Sequence, residues 1–550
     1  MRVGLLILCA GMSLFAQAPC ADTPLYTPCD IPFELSGDET WQNTRLTAEV
    51  KSPRFKTFTA EAFWDGGRKL VIRFTPSDEG SWELKLTSNI QRFDKQTIKV
   101  NAIASERPGF IYKDNLHHWR YTGNRLAHLW LGTEIADLGN ASDEALATAK
   151  AIKATHVRTL FPPQWPPQPA VFQALEKQIK ALNAENIIVD LTLAGPDNAL
   201  TKTFPDWNQR EKYFRYLLSR LAPYNVTWEI LRDWETYTDA RSLLKDLGTL
   251  IKRYDPYDHP RSAYPIGSTS AFVTDGWMTH IICNGEDPSI PAIEHQLYPL
   301  PIVTVGKKTT TKVLWNAIMA GSYLGWGTNK AIADVLERTR FWELDPYFDV
   351  SNSVALYVLD TEYLAYVERP GIVEVEVEKH GYDAAWISAA DGVRTPIKEY
   401  KGEHFISEPP AKDREWLIHL SREGRKEGML KSYKFESHPY MVQEVEIDPK
   451  RVPFTINIKD SADLKAGQLI PFEITITKDT RATRFMRYLI TADVPTEGQG
   501  MRVITTQSKG TFVLPPALAT KYPAVLNLRV AGMNSNGKLY TIDRIVSLVK

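Results

Sequence analysis

A multidomain chain, with an N-terminal β-sandwich, a central (β/α)8 TIM barrel and C-terminal β-sandwich domains, is the fold class this sequence predicts. Three observations predict it. A chain of 550 residues is too long for one hydrophobic core and, at roughly 150 residues per domain, calls for about three or four. Short alternating runs fill the stretch from Leu25 to Val100 and return after Gly371. Between them, apolar strands alternate with amphipathic helices, the grammar of a parallel sheet clothed by helices.

The elements follow in order. The opening MRVGLLILCAGMSLFAQAPCADT has one Arg, an apolar core and then small residues, and reads as a secretory signal peptide over 1–21. Cleavage after Ala18 would leave Pro19 first, so cutting after Cys20 or Ala21 is weighed beside it; a lipid anchor on Cys20 has weak support, because Gln17 and Pro19 flank it poorly. A secreted or periplasmic location follows. Over 22–103 the runs LTAEV, TFTAEAFW, KLVIRFTP, WELKLTS and QTIKVNA, parted by turns such as WDGG, predict an immunoglobulin-like β-sandwich. Over 104–370, strands LAHLWLGTE, HVRTLF, NIIVDLTLAG and NVTWEIL alternate with helices at 142–154, 169–184, 207–221 and 239–253. AYPIGS, THIICNG, PIVTVG and GSYLGWG bring the strands to eight, as a (β/α)8 barrel requires; an open doubly wound sheet is the runner-up. Residues 371–430 predict a small β-domain, and 431–550 a C-terminal sandwich reached through the basic bridge SREGRKEGMLKSYK.

Composition excludes several classes. Sixty-five basic against sixty-six acidic residues leave a net charge of −1, which gives no electrostatic footprint for nucleic acid. After the leader no run reaches the roughly 18 apolar residues of a membrane span. Fifteen Trp and an 11% aromatic share suit stacking on sugar rings, although most such rings fill cores. The four cysteines show no metal-ligand spacing; a Cys29–Cys283 disulfide is one option and two buried thiols the default. Neither a phosphate loop nor a zinc cluster is visible, so no cofactor and no metal are expected. Oligomeric state is not legible.

Reactive groups in such a barrel stand at the carboxyl ends of its strands. The stretch NVTWEILRDWETY ends the fourth strand on Asp233, Trp234 and Glu235. Strand alternation would put Asp233 and Glu235 on one side and Trp234 on the other. Acids over an apolar floor have raised pKa values and can donate a proton to a leaving oxygen, as glycoside hydrolysis requires. The competing reading is that they cap the next helix or pair with Arg232 and Arg241. Glu134 closes the first strand. Arg158, inside the second, needs an acid partner if buried. Gln164 and Trp165 tip the proline-stiffened loop FPPQWPPQP, and Glu294, His295 and Gln296 form a polar trio before the seventh strand; Trp326 near the eighth could floor the site. DPYDHP at 255–260 reads as a helix stop.

The order AEAFWDGGRKLVIRFTPSDEGSW, RYTGNRLAHLWLGTE, NVTWEILRDWETY with IKRYDPYDHPRS, and AIEHQLYPLPIVTVG with LWNAIMAGSYLGWG resembles the apiosidase-like glycoside hydrolases over roughly residues 25–430. The resemblance implies an immunoglobulin-like domain, a (β/α)8 barrel and a collagen-binding-type C-terminal β-domain. It implies an acid/base carboxyl at or near Asp233, with Glu235 as neighbour, and a Glu nucleophile ending the seventh strand. Here that segment reads PIVTVG, so Gly306 stands at the nucleophile's place. Glu294, Glu286 or Glu235 would have to serve instead, in an inverting arrangement with carboxylates about 6.5 to 9.5 Å apart. The expected function is a secreted glycoside hydrolase acting on a plant or microbial polysaccharide. The alternatives are a catalytically degenerate carbohydrate-binding or scaffold protein and, from the collagen-binding label alone, a matrix adhesin.

Overall fold

The computed structural model describes residues 20–422 apart from 115, 359, 370 and 399, then 444–458, 463–495 and 502–550. Residues 1–19 of the expected signal peptide and 423–434 of the basic bridge lie outside the described residues. The chain divides into two compact units, Met1–Arg107 and Pro108–Lys550.

In the first unit two sheets close on one apolar core. Five strands are neighbours in the order Thr23–Pro24, Thr97–Ile103, Gly80–Ser88, Leu46–Lys51 and Thr57–Glu61, and three in the order Cys29–Glu34, Lys69–Phe74 and Phe63–Trp64. Alternation dictates the layer: Trp82, Leu84 and Leu86 turn inward while Glu83, Lys85 and Thr87 face water. Cys20 and Cys29 form a disulfide, and Cys283 is free and buried. This corrects the expectations for Cys29, which neither pairs with Cys283 nor stays a buried thiol.

The second unit opens with a small antiparallel sheet of Ile111–Lys113, Trp119–Tyr121 and Ala127–His128, and a parallel array follows. Its strands are β1 (Gly132–Glu134), β2 (His156–Leu160), β3 (Ile188–Thr192), β4 (Val226–Arg232), β5 (Arg261–Tyr264), β6 (Ile281–Asn284), β7 (Ile302–Val305) and β8 (Tyr323–Leu324). Strands β1 to β5 pair in parallel in chain order, as do β6 to β8. A parallel bridge between Leu131 and Leu324 joins β8 back to β1, and a bridge between Ser268 and Cys283 joins the loop after β5 to β6. The strands are buried along their length, β3 as BBBBB and β7 as BBBB, because helices cover the outside.

Those helices are α1 (Asp143–Ala151), α2 (Pro169–Ala184), α3 (Ala199–Thr203), α4 (Trp207–Leu221), α5 (Ala240–Tyr254), α6 (Ser289–Leu297), α7 (Thr311–Met319) and α8 (Lys330–Leu336). Their starts are written locally: Ser142, Asp206, Thr310 and Asn329 each accept a backbone N–H of the first turn. Helix α6 was not expected. It contains Glu294, His295 and Gln296, which are therefore helical and buried rather than a loop trio.

An eight-stranded antiparallel-rich sheet follows, from Asp345–Tyr347 to Trp416–Arg422. It begins before residue 371 because the hairpin Val354–Val358 and Glu362–Val367 belongs to it. Leu356, Leu364, Ile387 and Leu417 share one apolar cluster with Trp315, Ile318 and Leu336 of α7 and α8. The last region is a sandwich of a three-stranded and a five-stranded sheet with its own core. Among the described residues no helix is long and apolar enough to cross a membrane.

Candidate functional site

The inward positions of β2, β3 and β4 are polar in an otherwise apolar sheet. Register sets Arg158 beside Asp190, and Thr192 beside Glu229. Arg158, 2% exposed, is clamped by fully buried Glu229: Nη2 lies 2.6 Å and Nε 2.9 Å from Oε1, with Nε also 2.9 Å from Oε2. Thr192 Oγ1 donates to Glu229 Oε2 at 2.9 Å, and Arg158 Nη1 donates to the Gly325 carbonyl. The acid that a buried Arg158 needs is thus Glu229.

One layer toward the amino ends, a chain of hydrogen bonds runs Tyr121 Oη to His128 Nδ1, His128 Nε2 to His156 Nε2, and His156 Nδ1 to Asp190 Oδ1, each 2.7 Å. Thr227 Oγ1 donates to the same Asp190 oxygen at 2.7 Å. With Asp190 ionised, one proton assignment satisfies the chain: the phenol donates to His128, His128 to His156, and His156 to the carboxylate. Burial keeps both imidazoles well below their ordinary pKa, hence neutral, and lifts Asp190 to about 6 against the pull of Arg158. Trp130 stacks flat on His156, ring centres 3.7 Å apart.

Above this floor lie the carboxyl ends. Strand β4 stops at Arg232, and Asp233 takes the left-handed conformation, φ 48° and ψ 51°, before a 3-10 turn over Trp234–Thr236. That turn breaks the two-residue alternation, so Asp233 and Glu235 do not share a side as expected. Asp233 stays half-buried, and burial, ahead of any charge, raises its carboxyl above the ordinary range; Asp197 adds to the rise, while Arg232 and Lys307 oppose it. Glu235 goes inward, 8% exposed, and accepts the backbone N–H groups of Ile266 at 2.8 Å and Gly267 at 3.0 Å. Burial pushes it up to about 7 despite those donors. Arg502 of the C-terminal sandwich donates to the Glu235 carbonyl. Glu235 thus anchors the loop after β5. Neither acid caps α5, whose N-cap residue is Asp239 and makes no side-chain capping bond, and Arg241 pairs with Asp275 at 2.7 Å.

The other expected residues scatter. Glu134 is exposed at the end of β1, with Arg232 Nη1 3.4 Å away and the Arg232 guanidinium 5.0 Å over the Tyr264 ring. Trp165 is 39% exposed on the loop after β2 and meets Tyr216 edge-on; Gln164 beside it is half-buried. Glu294 is fully buried and accepts from Ser268 Oγ and Cys283 Sγ, each at 2.8 Å, so it cannot face a ligand at the strand ends. His295 is buried beside His117 and Asp345, also apart from this face. Glu286 is held by Lys308 at 2.6 Å.

At the end of β7 a Cβ on Gly306 would meet Trp326 Cζ2 at 3.1 Å and Cε2 at 3.2 Å. Trp326 is 5% exposed and donates its Nε1 proton to the Lys308 carbonyl at 3.1 Å. The indole therefore fills the space that a side chain at 306 would use, rather than flooring an open site. Glu229, Asp190, His156, Tyr264 and Asp197 were missed by sequence reasoning. The signal was present in HVRTL, IVDLT and VTWEIL: one charged residue in the middle of each apolar strand, where unpaired burial is prohibitive.

No protein-family model matches the sequence, and a search of curated proteins finds no match. Among solved structures, a candidate glycoside hydrolase from Bacteroides vulgatus superposes with a TM-score of 0.63 at 18% identity, covering 73% of this chain and 100% of that one. A further glycoside hydrolase gives 0.49 at 11% identity over 57% of this chain and 97% of that one. A family 5 glycoside hydrolase from Bacteroides vulgatus gives 0.48 at 12% over 57% and 94%. At these identities the likeness is one of fold, and it rests on the first of the three.

Proposed function

We propose that the eight-strand array is a (β/α)8 barrel of the glycoside-hydrolase kind, in an exported protein that cleaves a glycosidic bond in a polysaccharide or oligosaccharide at the carboxyl ends of its strands. The observation that carries this reading is Asp233. It sits directly after β4 in a left-handed turn, half-buried, with its carboxyl raised by burial. A proton donor to a leaving oxygen needs such a perturbed acid. The shared fold with a candidate glycoside hydrolase supports it. The order of sequence stretches supports a place among the apiosidase-like hydrolases and a plant or microbial polysaccharide as substrate.

With Gly306 and Trp326 at the end of β7, no carboxylate there can attack an anomeric carbon. Hydrolysis in this reading proceeds by direct attack of water, activated by a second carboxylate on the same face, where Glu134 and Asp197 stand, while Asp233 protonates the departing oxygen. Exposed Trp165 supplies a stacking surface for a sugar ring. A second reading, a carbohydrate-binding protein without turnover, is favoured by the same packing of Trp326 on Gly306.

Reducing-end release and binding by wild type and Asp233→Asn, across pectic, hemicellulosic and bacterial polysaccharides, separate the two. Release by wild type, reduced roughly 10²- to 10⁴-fold in the variant, fits a general acid. Binding without any release selects the binder, and neither binding nor release removes both.

A further inference from the structure

Away from the strand ends that carry Asp233, three potential metal ligands from distant parts of the second unit converge. His117 precedes the array, His295 lies in the last turn of α6, and Asp345 begins the sheet that follows. One ligand atom from each lies within 4.8 Å of the others. Asp345 Oδ1 is 3.4 Å from His295 Nε2 and 3.7 Å from His117 Nδ1. Ligands bound tetrahedrally at about 2.0 to 2.1 Å stand roughly 3.3 to 3.4 Å apart, so the two separations from Asp345 are near those around one small ion.

The hydrogen bonding points the same way. Asp345 Oδ1 is buried with two imidazole nitrogens close to it, neither aligned with it for a strong hydrogen bond. His117 Nε2 is 3.0 Å from the Tyr298 carbonyl. A carbonyl only accepts, so Nε2 carries a proton, and Nδ1 of the neutral ring turns a lone pair toward Oδ1. A lone pair facing a carboxylate oxygen is unfavourable unless a proton or a metal cation lies between them. The Tyr298 carbonyl, which accepts the far ring proton of His117, is the kind of outer partner that orients a ligating imidazole. Gly321 clears the space: at φ 82°, a Cβ there would stand 2.4 Å from His295 Cδ2.

We propose that His117, His295 and Asp345 bind one zinc-class divalent cation that ties the segment before the array, helix α6 and the following sheet together. Two imidazoles and one carboxylate are a zinc-class donor set, whereas calcium and magnesium prefer oxygen alone. The site is a staple rather than part of the sugar chemistry.

The test uses the full chain without a histidine tag, stripped with a chelator, dialysed and titrated with Zn²⁺ by calorimetry, with thermal unfolding followed in parallel. Wild type should take up one ion per chain and unfold at higher temperature when loaded. Asp345→Asn and His117→Gln should each weaken uptake by more than about a hundredfold, beyond the range that outer-shell partners command. His404→Gln serves as the control, because exposed His404 lies beside Glu374 and Glu376 and could hold adventitious zinc; uptake should survive it. Three results would overturn the site: no uptake by stripped wild type, unchanged affinity in both ligand variants, or loss of uptake in the His404 variant. The wild-type result stands even where a variant fails to fold.

Discussion

Replacing Glu235 by Gln should abolish a pH dependence of stability that the buried carboxyl imposes. Burial lifts its pKa to about 7 from an ordinary 4.5. That rise of about 2.5 units, at about 1.36 kcal/mol per unit, corresponds to about 3 kcal/mol of differential proton binding. Below about pH 4.5 the group is protonated in both folded and unfolded chains and costs nothing. As pH rises from there to 7, the unfolded chain releases the proton while the folded chain retains it, so stability is lost; above 7 the full cost is present. Gln carries no such proton. Urea unfolding of wild type and Glu235→Gln, followed by tryptophan fluorescence at pH 5 and pH 8, isolates the effect, since other titrating groups cancel in the difference of differences. Wild type should lose between about 2 and 3 kcal/mol relative to the variant across that interval. A difference under about 1 kcal/mol would refute the assignment of Glu235 as a desolvated anchor of the Ile266–Gly267 loop.

Two further outcomes follow from the same geometry. Glu229→Gln leaves buried Arg158 without its carboxylate and should cost about 3 to 5 kcal/mol, with Arg158→Met recovering part of the loss in the double variant; equal stability of all three in chemical denaturation would contradict the clamp. Asp233→Asn, at a half-buried position, should leave the unfolding free energy within a few tenths of a kcal/mol while cutting any glycosidic activity roughly 10²- to 10⁴-fold. Loss of activity accompanied by a large drop in stability would mark Asp233 as structural.

The strand–helix alternation was legible, because buried parallel strands and capped amphipathic helices each leave a local signature. Helix boundaries of α2, α4 and α5 lie close to the expected ones for that reason. Helix α6 was hidden: SIPAIEHQL is buried nearly all round, so it shows neither an amphipathic stripe nor a side-chain cap. The site was legible only in part. Asp233 could be placed from its strand, but the fate of Glu235 turns on a left-handed residue that the alternation rule does not foresee. His117, His295 and Asp345 are far apart in sequence, and only the tertiary fold brings them together.

The end of β7 is where hydrolase and binder part, and Gly306 allows a direct trial. Any side chain at 306 has to displace the Trp326 indole, whose three nearest atoms lie 3.1, 3.2 and 3.5 Å from a Cβ placed there. The indole cannot swing freely, since its Nε1 is bonded to the Lys308 carbonyl and the ring is buried. Gly306→Ala should therefore destabilise by about 1 to 3 kcal/mol through overpacking, and Gly306→Glu by more. Pairing either with Trp326→Ala relieves the clash but opens a cavity, so the effects should be strongly non-additive. If Gly306→Ala is neutral in urea unfolding, the indole is not filling this space, and the case against a strand-seven nucleophile position falls with it. If instead the coupling is large, glycine and tryptophan at these two positions are complementary, and whatever chemistry this face performs proceeds without a covalent sugar intermediate on β7.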